Sequence, residues 1–474
     1  MIWSIAWKNI WRSRIRSLIV VAAFTVGIFA GVFTVGLVVG VMENRVNETI
    51  YKEASHIQIH HPKYIENSEI RFTVDNYTNL IDSLLKLNEV KAVSPRIKIV
   101  AMAANGGKTS GIIINGINPE NEKNVTDIYK TISEKGGTFF GLNEPNQVVI
   151  GEKLAKDLKL AYFTISDNTF EIIKNSISDE IVLKKLRTIL NEVFRSEKEF
   201  ENNLKRLLNK EEQAKYLYLI KKESIQYKIK KKLILTFHTY SADLYQGAFK
   251  VAGVFHTSNS MFDQMNVFVI DTFIRRQAAI PDDKVHEIAL VLKKGVDEEN
   301  TAKKIMASYS NLDIKTWKQL MPEVGYMAEW LDFYLYFIMG IILLALGFGI
   351  INTMLMAILE RTKEIGMLMA IGMNKKRVFM MIMLETVMLS LVGAVIGMLI
   401  SYPVLVYTHQ YGIHFPQFAE GFEKMGYSSS VYPSYDLKIF FQTTILVIIT
   451  GILASVYPAR KALKLNPADA VRSE

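Results

Sequence analysis

Few residues in this sequence have the types and spacing for chemistry. Gly106-Gly107-Lys108-Thr109-Ser110 has the ending of a phosphate-binding loop, in which backbone N–H groups and a lysine hold phosphates. That pattern requires a glycine at position 102, and Met102 stands there, so a β-turn is the reading. His56, His60 and His61 form the only histidine cluster. On a strand, His56 and His60 would share a face about 13 Å apart, too far for one ion, so no metal site is expected. Neither G-x-S-x-G nor H-E-x-x-H occurs. The sequence has no cysteine, which excludes disulfides, thiolate metal sites and a Cys nucleophile. No catalytic residues, resident cofactor or enzymatic activity are therefore expected. One further group stands out. Glu385 interrupts a long apolar run, where a carboxylate is costly unless it faces protein or water. A helix–helix hydrogen bond and a proton relay both fit it.

The elements around these residues read as membrane spans. Of 474 residues, half are hydrophobic and 22% are charged. That is too apolar for a disordered chain and too charged for a bare bundle of membrane helices. Four stretches reach the roughly 20 apolar residues a helix needs to span a bilayer: 18–42, 333–359, 378–407 and 439–457. The first is too long for a cleavable signal and should remain as an anchor. Basic residues set the orientation. Lys8, Arg12, Arg14 and Arg16 precede the first span. Arg361, Lys363, Lys375, Lys376 and Arg377 lie between the second and third, and Arg460, Lys461, Lys464 and Arg472 after the fourth. The 408–438 loop carries only Lys424 and Lys438. Both termini (1–17 and 458–474) and the 360–377 loop are thus expected inside, with 43–332 and 408–438 outside. The net charge of +9 is then used at the membrane, and nucleic-acid binding is not expected.

The 43–332 segment is too long for a loop and must be a domain. Short β-patterned runs occupy 56–60, 98–102, 111–115, 147–151, 232–237, 249–255, 266–270, 286–292 and 312–316. Helix patterns lie through Leu154 and Leu158 and over 297–309. The fold class is an α+β membrane protein: four transmembrane helices with a large outer α+β domain between the first two. A helical insertion at 161–231, dense in Lys and Glu and free of Gly and Pro, reads as two helices. A solvated amphipathic hairpin and a partner-binding arm both fit it.

Trp3, Trp7 and Trp11 share one helical face beside Lys8 and Arg12, as suits an interfacial anchor in membrane lipid or an extension of the first span. Gly27/Gly31, Gly36/Gly40 and Gly393/Gly397 are small-xxx-small pairs that allow close helix packing, within the chain or in a dimer. The run 360–372 starts charged, places Ile365, Leu368, Met369 and Ile371 at helical spacing, and ends at Gly372. A short amphipathic helix along the inner membrane face is expected, its apolar side covered by lipid or by a groove on a soluble protein.

Glu360-Arg-Thr-Lys-Glu-Ile-Gly366 with Ala370-Ile-Gly372 resembles the cytoplasmic loop of the FtsX-like ABC permeases. Tyr457-Pro-Ala-Arg-Lys-Ala-Leu-Lys-Leu-Asn-Pro-Ala-Asp-Ala-Val-Arg472 resembles their C-terminal signature, and Val149-Ile-Gly-Glu-Lys-Leu-Ala155 their outer, MacB-like periplasmic core domain. Ala6-Trp-Lys-Asn-Ile-Trp-Arg12 and Ser55-His-Ile-Gln-Ile-His-His-Pro-Lys-Tyr64 resemble the lipoprotein-releasing, LolC/LolE-type branch. The insertion lies outside the resemblance. The resemblance implies a mechanotransmission (type VII) transporter of the inner membrane, with two permeases, identical or paralogous, paired above ABC ATPase subunits that bind ATP and Mg. Glu360, Arg361, Lys363, Glu364, Ile365, Gly366, Leu368, Ile371 and Gly372 would contact the ATPase. Arg361 and Lys363 would meet its acidic groups, and Leu368 and Ile371 would fill its groove. With about 17 residues before the first span, the ATPase is expected as a separate subunit. Lipoprotein release is the implied function. Drug or peptide export, and regulation of cell-wall hydrolases, are the alternatives.

Overall fold

The computed structural model describes residues 14–141 and 144–463, in two compact units. Trp3, Trp7 and Trp11, and the C-terminal signature beyond Leu463, lie outside the described residues.

The first unit comprises residues up to Glu43, Met327–Ile413 and Ser430 onward. Its helices belong to four that are long and apolar enough to cross a membrane: Ser17–Ala54, Leu331–Glu360, Lys375–Tyr411 and Leu437–Ala462. Each runs past its apolar stretch in the sequence, because the flanking charged and aromatic residues keep helical backbone bonds while reaching polar surroundings. The expected small-residue pairs are used inside this chain. A methyl on Gly393 would come within 2.5 Å of Phe24 Cβ, and one on Gly397 within 2.9 Å of Ile28 Cβ. Gly27 abuts Leu346, Gly31 abuts Thr443, and Gly36 and Gly40 face the Ser434 and Tyr432 carbonyls. Missing side chains let these backbones approach where no hydrophobic force operates between helices in lipid. Phe24, Ile28, Ile350, Ile382 and Val447 fill the space between.

The second unit comprises Asn44–Tyr326 and His414–Ser429. Its main sheet runs in the order Lys232–His238, Leu244–Phe255, Gln147–Gly151, Asn266–Ile270, Lys108–Ile117, Val90–Asn105, Glu287–Leu292, Ile57–His60, Asp313–Thr316. Val90–Asn105 pairs on one edge with Glu287–Leu292 through its first half and with Lys232–His238 through Ala101–Ala104. The second pairing closes six strands into a ring. Alternate residues point inward, among them Ile97, Ile99, Ile112, Ile114, Val148, Leu235, Phe249 and Val267, as period-two patterning requires. A second core, with Ile57, Leu84, Ile288, Leu290, Ile305 and Ile314, lies on the flanking strands. Ring closure removes the sheet edges that six separate short strands would expose.

The insertion differs from the two-helix expectation. It is a small α/β unit with strands Ala161–Thr164, Val193–Phe194 and Ile225–Tyr227 and helices Asp167–Ser176, Glu180–Arg187, Glu197–Leu207 and Lys210–Ser224. Phe163 stacks on Phe200 at 5.3 Å within a core of Ile173, Val182, Leu186, Leu204 and Ile220. Side-chain caps from Ser166, Asp179, Ser196 and Asn209 start the four helices. Its strands are two to four residues long, too short for alternation to register.

Candidate functional site

The site starts at the turn between the helices Leu331–Glu360 and Lys375–Tyr411. The first ends at Glu360, Arg361 breaks the direction, and a short helix runs from Thr362 to Ala370. Gly372, at φ +98°, then reverses the chain in a conformation costly for residues with a Cβ. Asn374 accepts a hydrogen bond from the Lys376 N–H at 3.1 Å and starts the next helix.

The short helix has two faces. Ile365 and Gly366 are buried among Ile358, Val378 and Ile382. Glu360, Lys363, Met367, Ile371 and Gly372 are exposed, and Leu368 is half-buried. Ile371 is 79% exposed and Met367 54%, so apolar surface stands beside the Lys363 cation. Met367 was not picked out from the sequence, although it lies four residues before Ile371 on the same side.

Arg361 faces the other way. Its Nη1 donates to both Glu385 oxygens, at 2.9 and 3.1 Å, and its Nε donates to Glu364 Oε2 at 3.1 Å. The Arg361 and Glu385 side chains are 15% and 8% exposed. The residue expected to meet an acidic group of the ATPase is therefore engaged within its own chain. Glu385 is thus hydrogen-bonded to a cation, the guanidinium at the turn before the short helix. Buried charge demands such pairing, because an isolated carboxylate there would be neutralised. Nothing in sequence spacing joins positions 24 apart, so the pairing was out of reach. The pair pins the start of the short helix to the third turn of Lys375–Tyr411, leaving Lys363, Met367 and Ile371 to the outside.

The other sequence candidates resolve as structural. Gly106 (φ +53°) and Gly107 (φ +78°) form the two-residue turn of the hairpin joining Val90–Asn105 to Lys108–Ile117. His60 is buried, with Nε2 at 3.0 Å from Gln58 Oε1 and Nδ1 at 3.1 Å from the His286 carbonyl. Nearby, Arg96 donates to Glu122 and Glu287 at 2.7 Å each. Burial works to raise the Glu287 carboxyl, but Lys98 and Arg96 overcome it and hold it down at about 2.

Two family models match: the FtsX-like permease C-terminal domain over residues 336–467 and the MacB-like periplasmic core domain over residues 17–174. This chain is a permease of the FtsX/MacB type. It is a membrane protein with an extracytoplasmic domain. The macrolide export ATP-binding/permease protein MacB of Escherichia coli K12 is 29% identical over 235 residues, which is 48% of this chain and 34% of that protein. An uncharacterized ABC transporter permease of Methanocaldococcus jannaschii is 26% identical over 234 residues, 48% of this chain and 55% of that one. The chain thus spans about a third of the MacB relatives it matches. The periplasmic region of MacB from Actinobacillus actinomycetemcomitans aligns at TM-score 0.31 and 10% identity, over 59% of this chain and 95% of that one. The extracellular domain of the Gram-positive transporter YknZ aligns at TM-score 0.29 and 11% identity, over 55% and 99%.

Proposed function

We propose that this FtsX/MacB-type permease is the lever of an ABC transporter, moved from the cytoplasm by a separate ATPase subunit that binds ATP and Mg. The observation that carries the reading is the Thr362–Ala370 helix, anchored by Arg361–Glu385 and presenting Lys363, Met367 and Ile371 outward. A rigid, half-apolar knob with one cation suits a groove on a soluble partner with an acidic rim. The basic residues at 361–377 and near both termini support a cytoplasmic position for this helix and an inner-membrane location, with the second unit on the periplasmic side. Two permeases, identical or paralogous, would pair, and their outer domains would act on lipoprotein or another amphipathic substrate.

Lipoprotein release is the first reading, resting on the Ala6–Arg12 and Ser55–Tyr64 motifs. Export of an amphipathic drug or peptide is the second, favoured by the names of the macrolide-exporting relatives. The doubly substituted Lys363→Glu, Ile371→Asp chain should insert normally but recover at least about tenfold less ATPase in detergent pull-downs, as expected when a central anchor is lost. Undiminished recovery would refute the coupling role. With the assembled complex in lipid nanodiscs, stimulation of ATP turnover by a triacylated lipopeptide and not by a macrolide supports the first reading; the reverse supports the second.

A further inference from the structure

The residues between the third and fourth long helices pack as part of the outer domain: His414–Ser429 belongs to the second unit. Its short helix Ala419–Lys424 carries two carboxylates that meet the insertion and the ring. Glu420 Oε1 accepts from Lys221 Nζ at 2.7 Å. Lys221, at the end of the insertion helix Lys210–Ser224, also holds Glu197 at 2.7 Å and Glu201 at 3.1 Å. Three carboxylates close enough to chelate an ion are thus bridged by the protein's own ammonium group. Burial works against the Lys221 charge, but its bonds to Glu197, Glu420 and Glu201 keep its pKa above the ordinary lysine range.

The second carboxylate, Glu423, accepts from the Tyr218 hydroxyl of the same insertion helix at 3.5 Å and lies 3.8 Å from His256 Nε2. His256 Nδ1 lies 3.5 Å from Asp263 and 3.6 Å from Glu152. Burial opposes its charge, but Glu152 and Asp263 prevail and lift it to about 9, so it is a cation at neutral pH. Beyond the helix, Gly426 (φ +78°) seats against the Arg45 guanidinium, itself paired with Glu53 at 2.6 Å. Phe415, Phe418 and Phe422 cluster on the remaining side. The two carboxylates help line a cleft of about 550 Å³ together with residues of the insertion and of the ring strands.

We infer that residues 414–429 form an electrostatic strap and that the insertion exists to hold it, tying the connection between the last two spans to the outer domain. What the strap does rests on the lever reading; that it is held does not. The Glu420 side chain is 65% exposed, so its pair with Lys221 is screened by solvent and weak. The strap therefore opens without unfolding the ring, as suits a part that must release and re-form.

The test is hydrogen exchange on the purified full-length chain in detergent, without ATP or any ATPase. In the Glu420→Gln, Glu423→Gln variant, peptides covering 414–429 should exchange at least about tenfold faster, while those from Gln147–Gly151 and Asn266–Ile270 stay unchanged. Lys221→Met, on the opposite side of the contact, should reproduce the local increase. Unchanged exchange over 414–429, or a rise across the whole domain in both variants, overturns the strap. Loss of ATPase capture in the pull-down bears on the lever alone, so the two ideas fail separately.

Discussion

At the scale of residues, the decisive contact is Arg361–Glu385, and the sequence displayed both charges without their union. Glu385 was legible as an anomaly because a lone carboxylate in an apolar run demands a partner. Arg361 was expected to meet an acidic group of an ATPase because its loop motif resembles that of the FtsX-like permeases. Only the turn at 361, which aims the guanidinium back along Lys375–Tyr411, brings the two within 2.9 Å. Removing one partner strands the other charge, whereas removing both restores an apolar seam beside Met354, Ile365 and Ile382. A double-mutant cycle should therefore be strongly non-additive. Arg361→Met and Glu385→Leu should each lower the thermal midpoint of the detergent-solubilised chain, and the double variant should recover most of the loss, with a coupling of about 1–3 kcal/mol. Simple addition of the two losses would show that the pair contributes nothing to holding the short helix.

At the scale of elements, the β-patterned runs were readable because each carries several residues of one of the domain's two cores, the ring or the flanking strands. Leu233, Leu235 and Phe237 alternate, as do Ile97, Ile99, Ala101 and Ala103. Closure of the ring was not readable, since it depends on Val90–Asn105 sharing one edge between two partners. The insertion was misread for a related reason. Its strands contribute few residues each, and its fold is decided by distant pairings such as Ala161 with Tyr227 and Phe163 with Ile225. Those same pairings bring its ends together, so it can be removed cleanly. Replacing 164–224 by Asn-Gly should leave a hairpin of Ala161–Phe163 against Ile225–Tyr227. The variant should insert in the membrane, and the ring peptides should keep their exchange protection. Peptides from 414–429 should lose theirs, because Lys221 and Tyr218 are gone. A cut that extends to Lys231 should do worse, since the Lys230 N–H bonds the Val251 carbonyl and Lys231 accepts from the Val251 N–H. Collapse of the ring after the clean replacement would show that the insertion's core is part of the domain's own stability.

At the scale of the whole molecule, the proposed lever requires its drive point and its working domain on opposite sides of the bilayer, and the distribution of basic residues supports that proposal. Four long helices by themselves permit either orientation. The proposed orientation rests on Arg361, Lys363, Lys375, Lys376 and Arg377 crowding one turn while the Thr408–Lys438 connection carries two lysines. Because the chain has no cysteine, a single introduced thiol reports its own side of the membrane. Lys108 sits at the exposed hairpin tip of the outer domain, and Lys363 is exposed on the short helix. With a membrane-impermeant maleimide, Lys108→Cys should label once the periplasmic face alone is reachable. Lys363→Cys should label only after the inner membrane is permeabilised, and addition of a bound ATPase should then shield it. The inverted pattern would place the outer domain in the cytoplasm and remove any route by which ATP could drive it through Thr362–Ala370. Equal labelling of Lys363→Cys with and without the ATPase would leave the orientation intact but move the drive point elsewhere.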